Sequence, residues 1–315
     1  MTLNIHPVDR AEVTTLVDNT VGPSIGSNDM VTRPFMIKDP EKGEPYKLKA
    51  EHGFCALIRL FRGNEVHTVL LDAGQSGSVA VENARALGLE LDEVEAVVIS
   101  HGHGDHTWGL EAVADQFSRP VPAIAHPDAF LLRYVYTPSL ELCKFPQIDL
   151  NALGNSNLRF RKTSGPAMLA GGCMATTGQI PRLTEFEKGL PAQQAIRNGK
   201  LTPDPLTLDD QSILFVIKDK GLVIISGCAH SGIINSILYG LELAGGKRPY
   251  AVMGGFHLCW PTPENIVKTT LEEMRVIDPS FIIPCHCTGF DSTSRFAREL
   301  PGAFILNTVG STITF

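Results

Sequence analysis

The sequence predicts an α/β fold in which several strands deliver a histidine to a common edge. Short apolar segments of strand length alternate with segments whose apolar residues recur at helical spacing. Two pairs of apolar segments are joined by short polar turns, which is typical of β-hairpins. Functional groups of α/β proteins gather where strands give way to loops, so histidines at strand ends point to one shared pocket. These histidines are His101, His126, His230, His257 and His286.

The composition is that of an ordinary globular protein with a sizeable core. The chain has 315 residues, of which 43% are hydrophobic and 19% charged, and its formal net charge is -7 at pH 7. Because no basic block stands out, nucleic acid is not expected as a partner. The first twenty residues include several charges and no long apolar run, so we expect neither a secretory signal nor a membrane span. The seven scattered cysteines favour a reducing cytoplasm over a disulfide framework.

The first part of the chain is predicted to alternate strands and helices around one long loop. Residues 20–50 are rich in Gly, Pro and Lys and are expected to form that loop at the surface. A polar turn at 62–65 joins two apolar strands into a hairpin. The predicted strands are 11–19, 55–61, 66–72, 95–100 and 121–126, and the predicted helices are 78–87 and 107–117.

The remaining chain divides into an irregular segment and a second series of strands. Residues 127–205 hold many Gly, Pro, Asn and Lys residues and few clean periods, so we expect an insertion that covers the pocket. A second hairpin follows, closed by residues 219–220. The predicted strands are 212–218, 221–226, 250–253, 281–284 and a terminal strand in 303–306 and 311–315, and the predicted helices are 233–244 and 263–277.

A dense run of metal-binding side chains, Ser100-His-Gly-His-Gly-Asp-His106, follows the predicted strand 95–100. Buried imidazoles and a buried carboxylate each need a partner, and together they are ligands that suit Zn, Mn or Fe. Gly102 and Gly104 are expected to let the backbone turn in conformations closed to other residues. A polar loop that is merely rich in histidine is the competing interpretation. The run therefore predicts a divalent metal site at the end of this strand.

The motif His101-x-His103-x-Asp105-His106 after a hydrophobic strand resembles the signature of the metallo-β-lactamase superfamily. Asp72-Ala-Gly upstream and strand-end histidines at 230 and 286 follow in a similar order, so the resemblance extends over nearly the whole chain. It implies an αββα four-layer sandwich, with two mixed sheets inside and helices outside. A single domain of this type over residues 1–315 is expected.

The resemblance also implies one or two bound divalent ions, with Zn as the first expectation and Mn or Fe as alternatives. Asp105 would help to hold an ion and would also orient a water molecule or accept its proton. The implied ligands of the first ion are His101, His103 and His230, and those of the second are Asp105, His106 and His286.

One position departs from the better-known hydrolases. The thioesterase branch carries a bridging Asp after the strand equivalent to 222–227, whereas this chain has Cys228. The separate His-Thr-x-Gly motif expected earlier is also missing, and residues 176–178 are the nearest match. Cys228 is either a thiolate ligand or a small buried residue.

Two further cysteines, Cys285 and Cys287, flank His286. If that segment is extended, alternate side chains point to opposite faces, so both cysteines should face away from the pocket.

A narrower group is also similar, the superfamily II metal-dependent hydrolases named dihydropterin ribofuranosylaminobenzene-phosphate synthases. That resemblance implies a pterin precursor and a phosphorylated aryl riboside as substrates. It is carried by residues 51–53, 177–182, 227–232, 254–257 and 286–289.

We expect a metal-dependent hydrolase that acts on an ester, lactone or phosphoester of a small molecule. His257 is a candidate catalytic residue, as a proton donor or oxyanion partner. Arg182 and His52 are candidates to hold an anionic part of the substrate, and Asn19 has either a binding role or the commoner role of a strand cap. The alternatives are a transferase that condenses the two substrates named above and a non-catalytic, metal-containing ligand-binding protein.

Overall fold

Two mixed β-sheets pack face to face and carry helices on their outer surfaces. The computed structural model describes residues 1–137, 139, 141–259 and 261–315. In the strand Cys55–Arg62, Ala56 and Ile58 join the core between the sheets, while Cys55 and Leu57 pack beneath the outer helices. This alternation is the period of two that a strand imposes on its side chains. The four-layer α/β sandwich implied by the sequence is therefore confirmed.

The first sheet has eight strands. Its first four strands in spatial order run parallel, and each later neighbour is antiparallel. The strands, in spatial order, are Leu158–Lys162, Val121–Ala125, Ala96–Val98, Glu65–Leu71, Cys55–Arg62, Arg10–Val17, Thr312–Thr314 and Val31–Thr32.

The second sheet has six strands, of which the last three in spatial order are parallel to one another. Its hairpin places Ile213 and Phe215 in the core between the sheets and Leu214 and Val216 on the outer face. The strands, in spatial order, are Ala167–Leu169, Met174–Thr176, Ser212–Ile217, Gly221–Ser226, Pro249–Gly255 and Phe281–Cys285.

Six α-helices belong to the described part of the chain. The helices Val79–Leu87 and Leu110–Ala114 pack on the outer face of the first sheet, and the three helices of the second half pack on the outer face of the second sheet. The helices are Val79–Leu87, Gly104–Thr107, Leu110–Ala114, Ile233–Leu243, Glu264–Ile277 and Phe290–Glu299. None of them is long and apolar enough to cross a bilayer.

The structure differs from the predicted helices at two places. The helix predicted over 107–117 is two short helices, and Gly109 between them lies so close to the carbonyl oxygen of Ala73 that a Cβ would meet it at 1.9 Å. The helix Phe290–Glu299 was not predicted. Its sequence gives a weak signal because it is largely polar, buries only Ser292 and Phe296, and leaves Phe290 exposed.

The irregular segment 127–205 contributes to three sheets. Three of its strands join the two large sheets, and four form a separate sheet beside them. The role of this segment as a cover for the pocket stays a prediction. The strands of the separate sheet are Leu142–Phe145, Arg133–Tyr136, Gln193–Arg197 and Lys200–Pro203, and a further small hairpin pairs Ile37–Asp39 with Glu44–Pro45.

The carboxyl ends of the parallel strands in both sheets meet at one edge of the sandwich. In the first sheet this edge carries Asp72 and the run 100–106. In the second sheet it carries Cys228, His257 and His286. The topology thus brings side chains from distant parts of the sequence to a common site.

Candidate metal centre

The glycines of the histidine run permit close packing. Neither Gly102 nor Gly104 has a positive φ, so the prediction that they provide a backbone conformation closed to other residues was wrong. A Cβ at Gly102 would lie 2.1 Å from the carbonyl oxygen of Ala129, and one at Gly104 would lie 2.0 Å from the ring of Trp108. The run can therefore dock against its surroundings only because these positions lack side chains.

The structure brings together the three histidines that the resemblance assigns to the first metal, His101, His103 and His230, here called the imidazole group. The ring centroid of His101 lies 4.5 Å from that of His103 and 4.6 Å from that of His230, and the centroids of His103 and His230 are 4.7 Å apart. The Nε2 atoms of His101 and His230 are 3.1 Å apart. All three side chains are buried, so their ring nitrogens have little access to water.

A second set of donors, here called the mixed group, consists of Asp105, His106, Cys228 and His286. One donor atom from each lies within 4.8 Å of all the others. The Nε2 atom of His106 is 3.1 Å from the Sγ atom of Cys228, and the Nε2 atom of His286 is 3.3 Å from Oδ2 of Asp105. This group contains the residues that the resemblance assigns to the second metal, with Cys228 in addition.

Hydrogen bonds behind the rings fix which nitrogen of His101 and His106 is free. Oδ2 of Asp72 accepts from Nδ1 of His106 at 2.7 Å and from Oγ of Ser100 at 2.7 Å. Since the Ser100 hydroxyl donates to Asp72, it accepts from Nδ1 of His101 at 2.9 Å. Both Nδ1 atoms therefore carry a hydrogen, and in the neutral, metal-binding form of each ring the Nε2 lone pair faces the centre.

His103 has the opposite arrangement. Its Nε2 atom lies 2.7 Å from Oε1 of Gln193, whose Nε2 donates to the carbonyl oxygen and a carboxylate oxygen of Asp204. The amide orientation makes Oε1 the acceptor, so His103 donates from Nε2 and keeps its lone pair on Nδ1. Sequence analysis missed Gln193 because it lies 90 residues from His103 and belongs to no local pattern.

The imidazole group is electrostatically suited to bind a cation as neutral rings. Burial lowers the pKa values of His101 and His230 well below the ordinary histidine value, and it lowers the pKa of His103 to about 4. The neighbouring imidazoles and the Arg133 guanidinium add to this effect. Because a neutral imidazole is the form that binds metals, these residues need not lose a proton to become ligands at neutral pH.

The residues present fit a divalent metal. Both ring nitrogens of His286 and Nδ1 of His230 are buried without a hydrogen-bond partner among the described residues. Each unsatisfied buried polar atom costs about 1–3 kcal/mol. Imidazole nitrogens, a carboxylate oxygen and a thiol sulfur are donors that divalent transition metals such as Zn use. Coordination would satisfy Nε2 of His286, which faces the other donors of the mixed group.

Asp72 is the residue through which the fold orients these ligands. We predict that Asp72→Asn lowers metal affinity by about 10–100-fold, because an amide nitrogen in place of Oδ2 would face the donors of His106 and Ser100. Competition against a chromophoric chelator measures this change. Glu95→Gln is the matched control, since Glu95 contacts the imidazole of His67 at 3.0 Å away from the centre. Equal affinities in the two variants would contradict an orienting role for Asp72.

Asp18 and Asn19 hold the backbone of His286. Oδ1 of Asp18 accepts from the backbone nitrogen of His286 at 3.0 Å, and Oδ2 accepts from Nδ2 of Asn307 at 2.8 Å. Nδ2 of Asn19 donates to the carbonyl oxygen of His286 at 3.0 Å. These contacts favour a structural role for Asn19, and its substrate-binding role stays a prediction.

A buried ion pair anchors the histidine run to the separate sheet. The guanidinium of Arg133 contacts both carboxylate oxygens of Asp209, at 2.5 and 3.1 Å, and Oδ2 of Asp204 at 2.9 Å. Oδ2 of Asp209 also accepts from the backbone nitrogen of Gly102 at 2.8 Å. Sequence analysis missed this anchor, although a carboxylate just before the buried strand Ser212–Ile217 was an available signal.

His257 lies beside the imidazole group, whereas His126 does not. The ring centroids of His257 and His230 are 4.4 Å apart, and Nδ1 of His257 is buried without a partner. His126 instead accepts a hydrogen bond from the backbone nitrogen of Asp128 at 3.1 Å and caps a short helical turn. Four of the five strand-end histidines therefore share the site, and the fifth is structural.

The two candidates for anion binding differ in position. His52 lies at the mouth of the site, with 63% of its side chain exposed and Nε2 3.5 Å from Oδ2 of Asp105. Arg182 donates to the carbonyl oxygens of Ile180, Leu206 and His230. Because these hydrogen bonds engage both terminal nitrogens, they favour a structural role for Arg182, and its substrate-binding role stays a prediction.

The expectation that Cys287 faces away from the pocket was wrong. The strand ends at Cys285, and His286 has a φ of 49° at the start of a helical turn, so the alternation of an extended chain does not continue. The sulfur atoms of Cys228 and Cys287 and a ring nitrogen of His257 lie within 4.8 Å of one another.

A cavity of about 330 Å³ opens beside the centre. His230 and His257 line part of it. The rest of the lining is mostly apolar, with Phe186, Leu190 and Phe256, and it also includes Glu187 and Lys188. Its volume and mostly apolar walls are typical of sites for small molecules.

Comparisons with known proteins agree with this geometry. Residues 48–240 match the family profile described as the metallo-beta-lactamase superfamily. The 7,8-dihydropterin-6-methyl-4-(beta-D-ribofuranosyl)-aminobenzene-5'-phosphate synthase of Methanocaldococcus jannaschii is 27% identical over 325 residues, covering 100% of both chains. An uncharacterized protein of the same archaeon is 32% identical over 252 residues, covering 80% of this chain and 90% of the relative.

A solved structure is similar over nearly the whole chain. It is the crystal structure of Tm1679, a metal-dependent hydrolase of the beta-lactamase superfamily. The TM-score is 0.71 at 25% sequence identity, and the match covers 96% of this chain and 98% of that chain. The profile match spans more than half of the sequence and coincides with the histidine run and most of the first sheet. The chain therefore belongs to the metallo-β-lactamase superfamily.

Proposed function

We propose that this protein is a metal-dependent hydrolase that cleaves an ester, lactone or phosphoester bond of a small molecule. The observation that carries the proposal is the contact between the candidate metal centre and the cavity, because His230 belongs to the imidazole group and also lines the cavity wall. A substrate in the cavity would thus place its reactive bond beside the centre. The similarity to a metal-dependent hydrolase over 96% of the chain supports this reading.

The chain supplies groups for proton transfer on two sides of this site. A divalent metal bound by the two groups would supply a Lewis acid that makes water nucleophilic at neutral pH. The Asp105 side chain is 17% exposed and faces His52 at the mouth, so it can orient water and accept its proton. His257 faces the cavity from the other side and is placed to donate a proton to the leaving group.

The cavity also defines the kind of substrate that we propose. Phenylalanine and leucine side chains on its walls favour an apolar or aromatic portion, and the volume limits it to a small molecule. We assign an anionic portion to His52, which does not line the cavity and is exposed to solvent beside Asp105.

Condensation of a pterin precursor with a ribofuranosylaminobenzene phosphate is the second candidate function. It is favoured by the relative from M. jannaschii, which matches all of this chain and is named for that product. Flat pterin and aryl rings are also compatible with the aromatic cavity walls.

The first test is turnover and its dependence on metal. We expect the protein loaded with Zn, Mn or Fe to hydrolyse at least one member of a panel of esters, lactones and phosphodiesters. Chelation should abolish that activity, and return of the metal should restore it, because the nucleophile depends on the ion. Product formation is followed by chromatography. Tight binding of a panel member without turnover would contradict hydrolysis and favour a ligand-binding protein.

A parallel incubation distinguishes condensation from hydrolysis. A pterin diphosphate precursor is supplied with and without the ribofuranosylaminobenzene phosphate. Release of pyrophosphate that requires the second substrate, together with a new pterin absorption, would support condensation. Release of pyrophosphate from the pterin precursor alone would support hydrolysis.

A further inference from the structure

We infer that the Cys228 sulfur is a ligand shared by the imidazole group and the mixed group, so that one thiolate bridges two metal ions. The inference rests on the metal binding of the proposed function and is independent of the substrate. The chemical class of ion that it implies is a thiophilic divalent metal such as Zn, Co or Fe.

The position of Cys228 is set by the glycine before it. A Cβ at Gly227 would lie 2.1 Å from Oγ of Ser100 and 2.9 Å from Oδ2 of Asp72. The loop after the strand Gly221–Ser226 therefore packs directly against the residues that orient His101 and His106. This packing places the Cys228 side chain, which is buried, between the two groups.

The sulfur lies close to donor atoms of both groups, although on the imidazole side its set contains His101 and His230 and not His103. It lies within 4.8 Å of a donor atom of each of His101 and His230, and likewise of Asp105, His106 and His286. Among residues that the structure describes, no other one occurs in both of these sets. A bridging ligand has to reach both ions, and Cys228 meets that condition because its donor atom belongs to both sets found among the described residues.

The surroundings of the sulfur favour coordination. The Nε2 lone pair of His106 faces it at 3.1 Å. A thiol could donate one hydrogen bond there, but that bond would leave Nε2 of His286 without a partner. A thiolate has several lone pairs and a negative charge, so it can bind an ion on each side and offset part of their charge.

Cys287 is a matched control for Cys228. Both side chains are buried and both lie near His257, but Cys287 occurs only in the third set, with Cys228 and His257. Its thiol donates to the carbonyl oxygen of Cys228 at 3.5 Å. Cys287 is therefore not placed to bridge the two groups.

The test is the absorption spectrum of the cobalt-loaded protein, in a Cys143→Ser background that removes the exposed thiol. We expect a thiolate-to-cobalt charge-transfer band that persists in Cys287→Ser and is lost in Cys228→Ser, with cobalt still bound through the histidines. Loss of the band in Cys287→Ser with retention in Cys228→Ser would overturn the inference. Bound cobalt without any such band would also overturn it while leaving the metal centre intact, whereas failure to bind cobalt would contradict the metal centre itself.

X-ray absorption of the unmutated protein keeps the inference testable if Cys228→Ser does not fold. With two Zn ions bound, a bridging thiolate gives about one sulfur neighbour per Zn at about 2.3 Å. A sulfur bound to only one of the two ions gives an average of about one half of a sulfur neighbour per Zn. Either that average or the absence of any sulfur neighbour would overturn the inference that Cys228 bridges the ions.

Discussion

Replacing His101 and His103 together with alanine should abolish metal-dependent turnover. The two substitutions remove two of the three rings of the imidazole group, which lie 4.5–4.7 Å apart. Loss of an outer hydrogen-bond partner alone costs about 10–100-fold in metal affinity, so loss of two direct ligands should exceed that range. Metal content is measured by plasma mass spectrometry and turnover on the substrate found in the panel.

His126→Ala is the control for this double variant. His126 also follows a strand, but it caps a helical turn and contacts neither donor group. Its removal should leave metal content unchanged and cost stability of about 1 kcal/mol, as for the loss of a cap. Full metal occupancy and turnover in the double variant would refute the assignment of the imidazole group.

Replacing Arg133 with methionine should destabilise the fold by about 3–5 kcal/mol. The guanidinium is almost completely buried, at 1% exposure, between the carboxylates of Asp204 and Asp209. Removing it leaves the buried Asp209 carboxylate without a compensating charge, whereas Asp204 keeps its pair with Arg197 at 2.9 Å. This desolvation cost is the source of the effect. The free energy of unfolding is obtained from equilibrium denaturation in urea. Asp209 also holds the backbone of Gly102 in the histidine run. The molecules of the variant that remain folded should therefore bind the metal more weakly.

Arg295→Met is the control for the buried arginine. Arg295 pairs with Glu264 and Glu299 at the surface, where an ion pair contributes about 0–1 kcal/mol. A destabilisation of Arg133→Met no larger than that of Arg295→Met would show that the buried pair is not the anchor that the contacts indicate.

The inference about Cys228 gives the departure from better-known hydrolases a physical meaning. The sequence left open whether this residue is a ligand or a small buried side chain. Its distances to both donor groups favour the ligand. If the bridge is a thiolate rather than a carboxylate, the centre should select softer metals than an all-oxygen bridge would.

Much of the fold was predictable because strand and helix patterns are local. The hairpin predicted over 55–72 is present as Cys55–Arg62 and Glu65–Leu71, and the helix predicted over 263–277 is Glu264–Ile277. Alternation of apolar residues places one face of a strand in each core, and that signal needs no distant contact. The helix Phe290–Glu299 escaped prediction because its sequence is largely polar, so it does not stand out as an apolar segment.

The candidate site also has features that the sequence predicted and features that only the structure showed. The run 101–106 and the histidines after later strands are visible in the sequence, and the structure brings His101, His230 and His257 together as neighbours. The sequence did not show that Cys287 faces the site. That orientation depends on a backbone φ of 49° at His286, which ends the alternation of side chains along the strand. A pattern of residue types cannot specify that turn.

The sequence by itself determined the superfamily, the α/β layers and the residue types that can bind a metal, because each is encoded in short motifs and periods. Only the tertiary structure decided which ring nitrogen His101, His103 and His106 offer. Asp72 and Gln193 make that choice through hydrogen bonds, and they are 34 and 90 residues away from the histidines that they orient. It also decided that Cys228 lies between both donor groups, since that position depends on Gly227 packing against Ser100 of the other sheet. The geometry of the candidate metal centre therefore depends on contacts across the sandwich. No local sequence pattern contains those contacts.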